Sequence, residues 1–164
     1  RITAKSNPVF GGVYKLVAKE RDGEVIPKIK ISENAGKITN PHFKKVYRIM
    51  DKDTNRAIAD LLTVYDEKID EKKPLELFDP QDTWKRKTVV NYTARELLVL
   101  VFKDGKLVYK SPEISEIRDY CREQMSTLWE EVTRFEHPHN YYVDLSQKLW
   151  DEKYRLLKEH SAKV

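Results

Sequence analysis

Hydrophobic and polar positions alternate over Val13–Glu20 (VYKLVAKE) and again over Glu24–Ser32 (EVIPKIKIS), with Arg21-Asp22-Gly23 between them. A period of two is that of a half-buried strand, and Asp-Gly supplies the positive φ of a tight turn, so this segment reads as a β-hairpin. Pro27 cannot donate to a ladder, which puts the second run at an edge or a bulge. Gly11-Gly12 permit a sharp entry into the first strand. After the loop SENAGKITNPHF, with its turn at Asn40-Pro41, the runs KKVYRIMD and RAIADLLTVYD form a second strand pair around Asp51–Asn55, although ADLLTVY alone also satisfies a helical period.

Residues 66–85, DEKIDEKKPLELFDPQDTWK, break this pattern with charge and two prolines. Their apolar members Leu75, Leu77, Phe78 and Trp84 suggest a connector lying across a surface. A third hairpin follows, ARELLVLVF turning at Lys103-Asp104-Gly105 into KLVYK. Ser111-Pro112-Glu113 carries the chemistry of a helix start, and a helix is expected from about Pro112 to about Phe135. Ile114, Ile117, Cys121, Met125 or Leu128, Val132 and Phe135 form one stripe, which should pack on the preceding hairpin. His137-Pro138-His139-Asn140 ends that helix. Asp144 with Gln147 reads as the capping box of a second helix through about Lys158.

These elements predict an α+β fold: antiparallel strand pairs in the first part, then a β-hairpin with two amphipathic helices. Residues 1–66 form a strand-rich segment, 67–85 a charged connector and 86–164 a terminal α+β domain. With 40% hydrophobic residues in 164, the chain can bury a sizeable core. No apolar run approaches the ~18 residues of a membrane span. A single cysteine, Cys121, excludes an internal disulfide, and its mid-helix place on the stripe predicts a packed thiol. Together with the lack of a secretory pattern this makes the cytoplasm the expected compartment.

Charge is distributed unevenly. Residues 1–65 hold 13 Lys/Arg against 7 Asp/Glu, so the first part is the basic part. A basic segment suits anionic partners, phosphate or nucleic acid, but solvated strand faces show the same composition. Lys28 and Lys30 lie two apart and Ser32 continues their face of a strand, while Ile29 and Ile31 would point to the core. Two ammonium groups and a hydroxyl in line can receive a phosphate, yet lysines also guard edge strands. His137 and His139 have no further ligands at metal spacing, so no metal site is expected. No catalytic triad, dinucleotide fingerprint or phosphate loop is present, so no catalytic residue is assigned.

Several ordered stretches carry a resemblance. GGVYKLV, PKIKISEN, KITNP followed by FKKVYR, AIADLLTVYDE, YTARELLVLVFKDGKLVY, SPEISEIRDY and HPHNYYVDLSQKLWDEKYRLL together resemble the carboxy-terminal portion of nicotinate phosphoribosyltransferase in its Gram-positive bacterial form. The resemblance implies a parent enzyme of NAD biosynthesis that joins nicotinate to phosphoribosyl pyrophosphate with coupled ATP hydrolysis, a ligase or glycosyltransferase using ATP and Mg and acting as a homodimer. It further implies an α/β sandwich whose carboxy-terminal part is present here and a catalytic barrel that is not. Arg1, at the start of RITA, would directly follow a phosphate loop of that barrel. Residues 1–164 alone, with no cofactor of their own, are therefore expected to be inactive. By position it also implies a phosphate contact for Lys28, Lys30 and Ser32. The family often has glycine after Asn-Pro or Thr-Pro where this chain has His42, so a glycine-type turn must accept a side chain. Nucleic acid and membrane are not expected partners; a nucleic-acid-binding or protein-interaction module is the alternative reading.

Overall fold

A computed structural model of the chain describes residues 12–161. Gly11 of the expected Gly11-Gly12 entry, and Arg1 with the rest of RITA, lie outside the described residues. The described residues fall into two compact units, 12–43 with 153–161, and Lys44–Glu152. Strands outnumber helices and most pairings are antiparallel, so the fold is α+β.

The first unit is organised by a hairpin, β1 (Ala18–Arg21) and β2 (Glu24–Pro27), antiparallel with Arg21 opposite Glu24. Asp22 and Gly23 both take positive φ, 53° and 77°, the geometry whose twist matches a two-residue hairpin. Pro27 is the last residue of β2, where its missing donor costs nothing. The hairpin is shorter than its alternation predicts at both ends. Beyond it, Lys28 N–H and His42 N–H both donate to the Val17 carbonyl, at 2.8 and 2.7 Å, so this one acceptor ties together the two ends of the loop. His42 takes φ 76°, a left-handed backbone in the place where the resemblance predicted a glycine-type turn. Lys153 Nζ donates to Asn40 Oδ1 at 2.9 Å, and Leu156 is buried.

The second unit is built on β3 (Lys44–Asp51) and β4 (Ala57–Val64), antiparallel and joined by the expected turn. That turn is closed by the Asp51 carboxylate, which accepts from the backbone N–H of Thr54 (2.8 Å) and Asp53 (2.9 Å), with Asn55 in the left-handed region at φ 54°. Alternation places Ala57, Ala59, Leu61 and Thr63 of β4 inside. A register shift between Ile49 and Met50 lets both be buried on successive positions.

The connector is not merely laid on a surface. It contributes β5 (Leu75–Phe78), which pairs with β6 (Arg86–Val89) and buries Leu77 and Phe78, although Trp84 stays 76% exposed. Tyr92 explains the docking: its ring is buried, and its hydroxyl donates to the carbonyls of Asp70 (3.1 Å) and Lys73 (3.2 Å). Tyr92 opens β7 (Tyr92–Glu96), which pairs with β3. The core packs Tyr47, Ile49, Ala59, Leu61, Leu77, Val89 and Tyr92 together.

Expectations for the second half are corrected at several points. The run Leu97–Val101 is not strand: only β8 (Phe102–Lys103) and β9 (Lys106–Leu107) pair, around Asp104 and Gly105 at positive φ. The long helix is two, α1 (Ile114–Ser126) and α2 (Glu130–Thr133). Glu113, rather than Ser111, is the N-cap, in a reciprocal box with Glu116. The helix stops because the carbonyls it would need are used by β4: Ala57 N–H donates to Thr127 O at 2.9 Å, and Arg56 donates to Leu128 O at 2.6 Å. Finally, α1 buries none of its side chains; Ile114 is 77% exposed, and Cys121 is exposed rather than packed. A hairpin of two-residue strands offers too little surface to cover that stripe.

The capping expectation at Asp144 is corrected as well. Asp144 lies in β10 (Val143–Leu145), parallel to β4, so the four-stranded sheet runs β10-β4-β3-β7. The cap of α3 (Gln147–Ser161) is Ser146, whose hydroxyl accepts from Leu149 N–H at 3.2 Å and donates to Glu67 at 2.7 Å. Leu149 then packs with Val64 and Leu145 in a second apolar cluster.

Across the centre of the sheet, Arg48 on β3 faces Asp60 on β4 and donates two hydrogen bonds to it, both 2.9 Å. Replacing Asp60 with Ala strands a largely buried guanidinium and is expected to destabilise this unit by about 3 kcal/mol. In urea titrations the Arg48→Ala, Asp60→Ala pair should cost clearly less than the sum of the single changes; additive costs would show that the two side chains do not interact. At position 42, Gly should leave stability within about 0.5 kcal/mol, whereas Val, β-branched at positive φ, should cost more than about 1 kcal/mol. Equal midpoints for both would contradict the backbone assigned to His42.

Candidate functional site

The sequence-selected residues sit in the first unit. The strand ends at Pro27, so the two-residue period does not carry through Lys28, Lys30 and Ser32 as strand geometry. Lys28 and Ser32 are half-buried and Lys30 is exposed; Ile31, expected inside, is 47% exposed. The stretch is shaped instead by Thr39, whose hydroxyl accepts from Lys30 N–H at 3.0 Å, and by Asn34, whose side chain accepts from Gly36 N–H at 2.9 Å and caps the short turn Ala35–Lys37. Among the described residues no hydrogen bond joins Lys28, Lys30 and Ser32 to one another. They present cationic and hydroxyl groups along one exposed loop.

The second unit holds a cavity of about 630 Å³ that sequence reasoning missed. Its apolar walls come mainly from three places. Ile58 and Ala59 belong to β4, Leu77 and Phe78 to β5, and Trp129, Val132 and His139–Tyr142 to the excursion between α1 and β10. Ala59, small on β4, leaves room, and hydrogen bonds hold the excursion in place. At one end Trp129 Nε1 donates to Ala57 O at 3.1 Å, with the Arg56 guanidinium over its ring at 5.3 Å. At the other, the Tyr141 hydroxyl donates to Asp60 Oδ1 at 3.0 Å, and Asp60 N–H donates to Tyr142 O at 3.0 Å.

The electrostatics of this cavity are graded. Asp144 is only 5% exposed and no hydrogen bond to its carboxyl is found among the described residues. Burial, with a smaller contribution from the neighbouring Asp79 charge, pushes it up from 3.8 to about 6. Asp79 itself is held below the usual carboxylate range by the backbone N–H groups of Asp82 and Gln81, so it stays ionised. The cations on the walls, Lys85, Arg86 and Lys87, are all exposed. Lys85 is paired with Asp82 at 2.6 Å, and Arg86 with Glu76. Tyr141 is driven far above the usual phenol range by burial and by Asp60, so it remains a neutral donor. Among the described residues no cluster of three or more metal-ligating side chains occurs.

The sequence profile of the family described as nicotinate phosphoribosyltransferase C-terminal domain matches residues 43–153. The chain belongs to the nicotinate phosphoribosyltransferase family. The matched span coincides with the second compact unit almost residue for residue. The chain is 42% identical over 163 residues to the nicotinate phosphoribosyltransferase of Bacillus subtilis (strain 168), covering 99% of this chain and 33% of that protein. It is 30% identical over 148 residues to that of Homo sapiens, covering 90% of this chain and 27% of that one. The crystal structure of human nicotinic acid phosphoribosyltransferase superposes with a TM-score of 0.70 at 26% identity, over 90% of this chain and 27% of that chain. The chain thus spans a third or less of the length of these nicotinate phosphoribosyltransferases, and the resemblance in its sequence to the carboxy-terminal portion is confirmed.

Asp144 makes the stability of the family domain pH-dependent in a determined direction. Its folded value lies above its unfolded one, so between about pH 4 and 6 the native state holds the extra proton, and stability falls as pH rises through that window. Asp144→Asn removes this loss. Urea denaturation should show the variant more stable by about 2 kcal/mol at pH 7.5, with the gain shrinking toward pH 4.5; a gain that does not vary with pH would show that Asp144 titrates normally.

Proposed function

We propose that the chain is the carboxy-terminal part of an enzyme that converts nicotinate and phosphoribosyl pyrophosphate to nicotinate mononucleotide and pyrophosphate, with ATP hydrolysis coupled to the reaction. The family match over residues 43–153 carries this reading. The relatives named above, two of them 42% and 30% identical, bear the name of that activity. In such an enzyme the sugar passes through a cation-like state while a multiply charged pyrophosphate departs. Fixed cations lower the barrier when they face charge that develops in the transition state.

Lys28, Lys30 and Ser32 are the residues of this chain offered for that task. The exposed ammonium of Lys30 and the half-buried Lys28 would act as point charges toward phosphate of ATP or of the phosphoribosyl donor, with the Ser32 hydroxyl as a directional donor. Mg would accompany the nucleotide phosphates, and the parent enzyme would work in the cytoplasm as a homodimer. In the reading carried here, residues 1–66 complete the sandwich of the parent, 67–85 connect, and 86–164 close it. The nicotinate pocket and the phosphate loop belong to the parts of the relatives that this chain does not span, so the 164 residues alone are inactive. No described helix is long and apolar enough to cross a membrane.

In a full-length enzyme carrying this chain, Lys30→Ala is expected to raise the apparent KM for ATP or for phosphoribosyl pyrophosphate about tenfold, as loss of one charge-assisted phosphate contact would. Steady-state kinetics with each substrate varied in turn measure it. Unchanged constants for both would remove the phosphate role and leave Lys30 a solvated loop residue.

A further inference from the structure

A buried carboxyl without a partner is costly, because leaving water costs an ionisable group several kcal/mol unless a counter-charge or hydrogen bonds replace the solvent. Asp144 approaches that situation: 95% of its surface is covered, it lines the cavity, and no hydrogen bond to its carboxyl occurs among the described residues. The charge that acts on it is another negative one, Asp79, whose carboxylate is kept ionised by two backbone N–H groups. Both carboxyls line this cavity of about 630 Å³ and also a second, adjoining one of about 670 Å³. Of the cations that line the cavity, Lys85 is paired with Asp82 and also bears on Asp79, and Arg86 is paired with Glu76; Lys85, Arg86 and Lys87 are all exposed, and the charge of none of them offsets the burial of Asp144.

Much of the apolar surface is aromatic. Phe78, Trp129 and Tyr141 line the cavity, and each ring is held by a guanidinium stacked on it: Arg86 over Phe78 at 5.0 Å, Arg56 over Trp129 at 5.3 Å and Arg48 over Tyr141 at 5.7 Å. The two carboxyls attract positive charge, and the fixed rings beside them offer a dispersion surface for an apolar body. A bare anion, in contrast, would have to be seated against Asp144. The volume lies within the range of small-molecule sites.

We propose that this cavity is a binding site for an organic cation, an ammonium or guanidinium on a short planar or apolar body, with the charged group between Asp144 and Asp79 and the body against Trp129, Tyr141 and Phe78. The site is separate from the loop offered for phosphate, lies wholly within the family domain, and stands whether or not Lys30 contacts phosphate. Binding supplies the donors that Asp144 lacks. The ligand also bridges β10, which carries Asp144, to the β5–β6 loop, which carries Asp79.

Benzylammonium and benzoate are matched probes, alike in body and opposite in charge. Each is titrated into the 164-residue chain while the indole N–H signal of Trp129, assigned through Trp129→Phe, is followed by NMR. Benzylammonium is expected to move that signal saturably at millimolar concentrations and benzoate is not. Asp144→Asn keeps the shape and removes the charge, and should weaken benzylammonium at least fivefold; Asp79→Asn, at the more open position, provides the same test independently of how well the first variant folds. Saturation by benzoate to the same degree, no saturable shift with benzylammonium, or an affinity for benzylammonium in both variants unchanged from that of the parent chain would each overturn the assignment.

Discussion

The arrangement of the second unit turns on the ion pair between Arg48 and Asp60. The two residues face each other on the central strands, and their side chains are 18% and 14% exposed, dry enough for the pair to be strong and wet enough for it to avoid the full cost of burial. Asp60 is the more heavily used partner. It accepts both guanidinium bonds and the Tyr141 hydroxyl, while its backbone N–H donates to Tyr142. A single residue of β4 therefore fixes the register of the hairpin and also the point at which the chain returns from its excursion. Once Tyr141 and Tyr142 are held there, Val143–Leu145 has little choice but to continue as a parallel strand along β4, and Ser146 follows as the cap of α3.

The cavity is a consequence of the same geometry. The chain is pinned to β4 at Ala57 by Thr127 and Trp129 and again at Asp60 by Tyr141 and Tyr142. Only two residues of β4 separate the anchors, whereas the excursion between them is more than ten residues long. The excess chain must bow outward. Ala59 contributes little bulk to fill the space beneath, and the aromatic residues of the excursion and of β5 form much of its wall. The guanidinium contacts on Phe78, Trp129 and Tyr141 fix these rings further, which makes the space a preformed one rather than an accident of loose packing.

What could be read from sequence follows from the range of the forces involved. The β3–β4 hairpin was legible to within two residues at its ends, because alternation and an Asp-rich turn are local signals, although ADLLTVY alone also fitted a helix; the glycine-like backbone at His42 was legible through the family resemblance. The break after Ser126 was not, because it depends on β4 drawing off carbonyls from 70 positions away. The amphipathic pattern of Ile114–Ser126 correctly announced a helix. It could not say what would lie against the stripe, and in this structure the side chains of α1 remain exposed. Asp144 was misread for an instructive reason: an acid three residues before a glutamine just ahead of an apolar helix is a good capping signal, and only pairing with Asp60–Leu62 reveals that the acid belongs to a strand. Its short context, Val143-Asp144-Leu145, did carry the alternate signal of a strand.

An uncompensated carboxyl in β10 runs against the usual economy of a fold. Asparagine would fit the same space without the titration penalty, and a small apolar residue would suit a position covered on nearly every side. Interior positions that break a local rule at measurable cost tend to be those on which function depends. Asp79 sharpens the point, because the fold spends two backbone N–H groups keeping it ionised beside Asp144, where a neutral neighbour would have relieved the strain. Two acids that act on one another in the wall of one cavity, with the basic residues Lys85, Arg86 and Lys87 of the same lining all exposed, form an arrangement that packing alone does not require. The phosphate chemistry proposed for Lys28, Lys30 and Ser32 calls for fixed positive charge on an open loop, whereas this cavity calls for positive charge to arrive from outside.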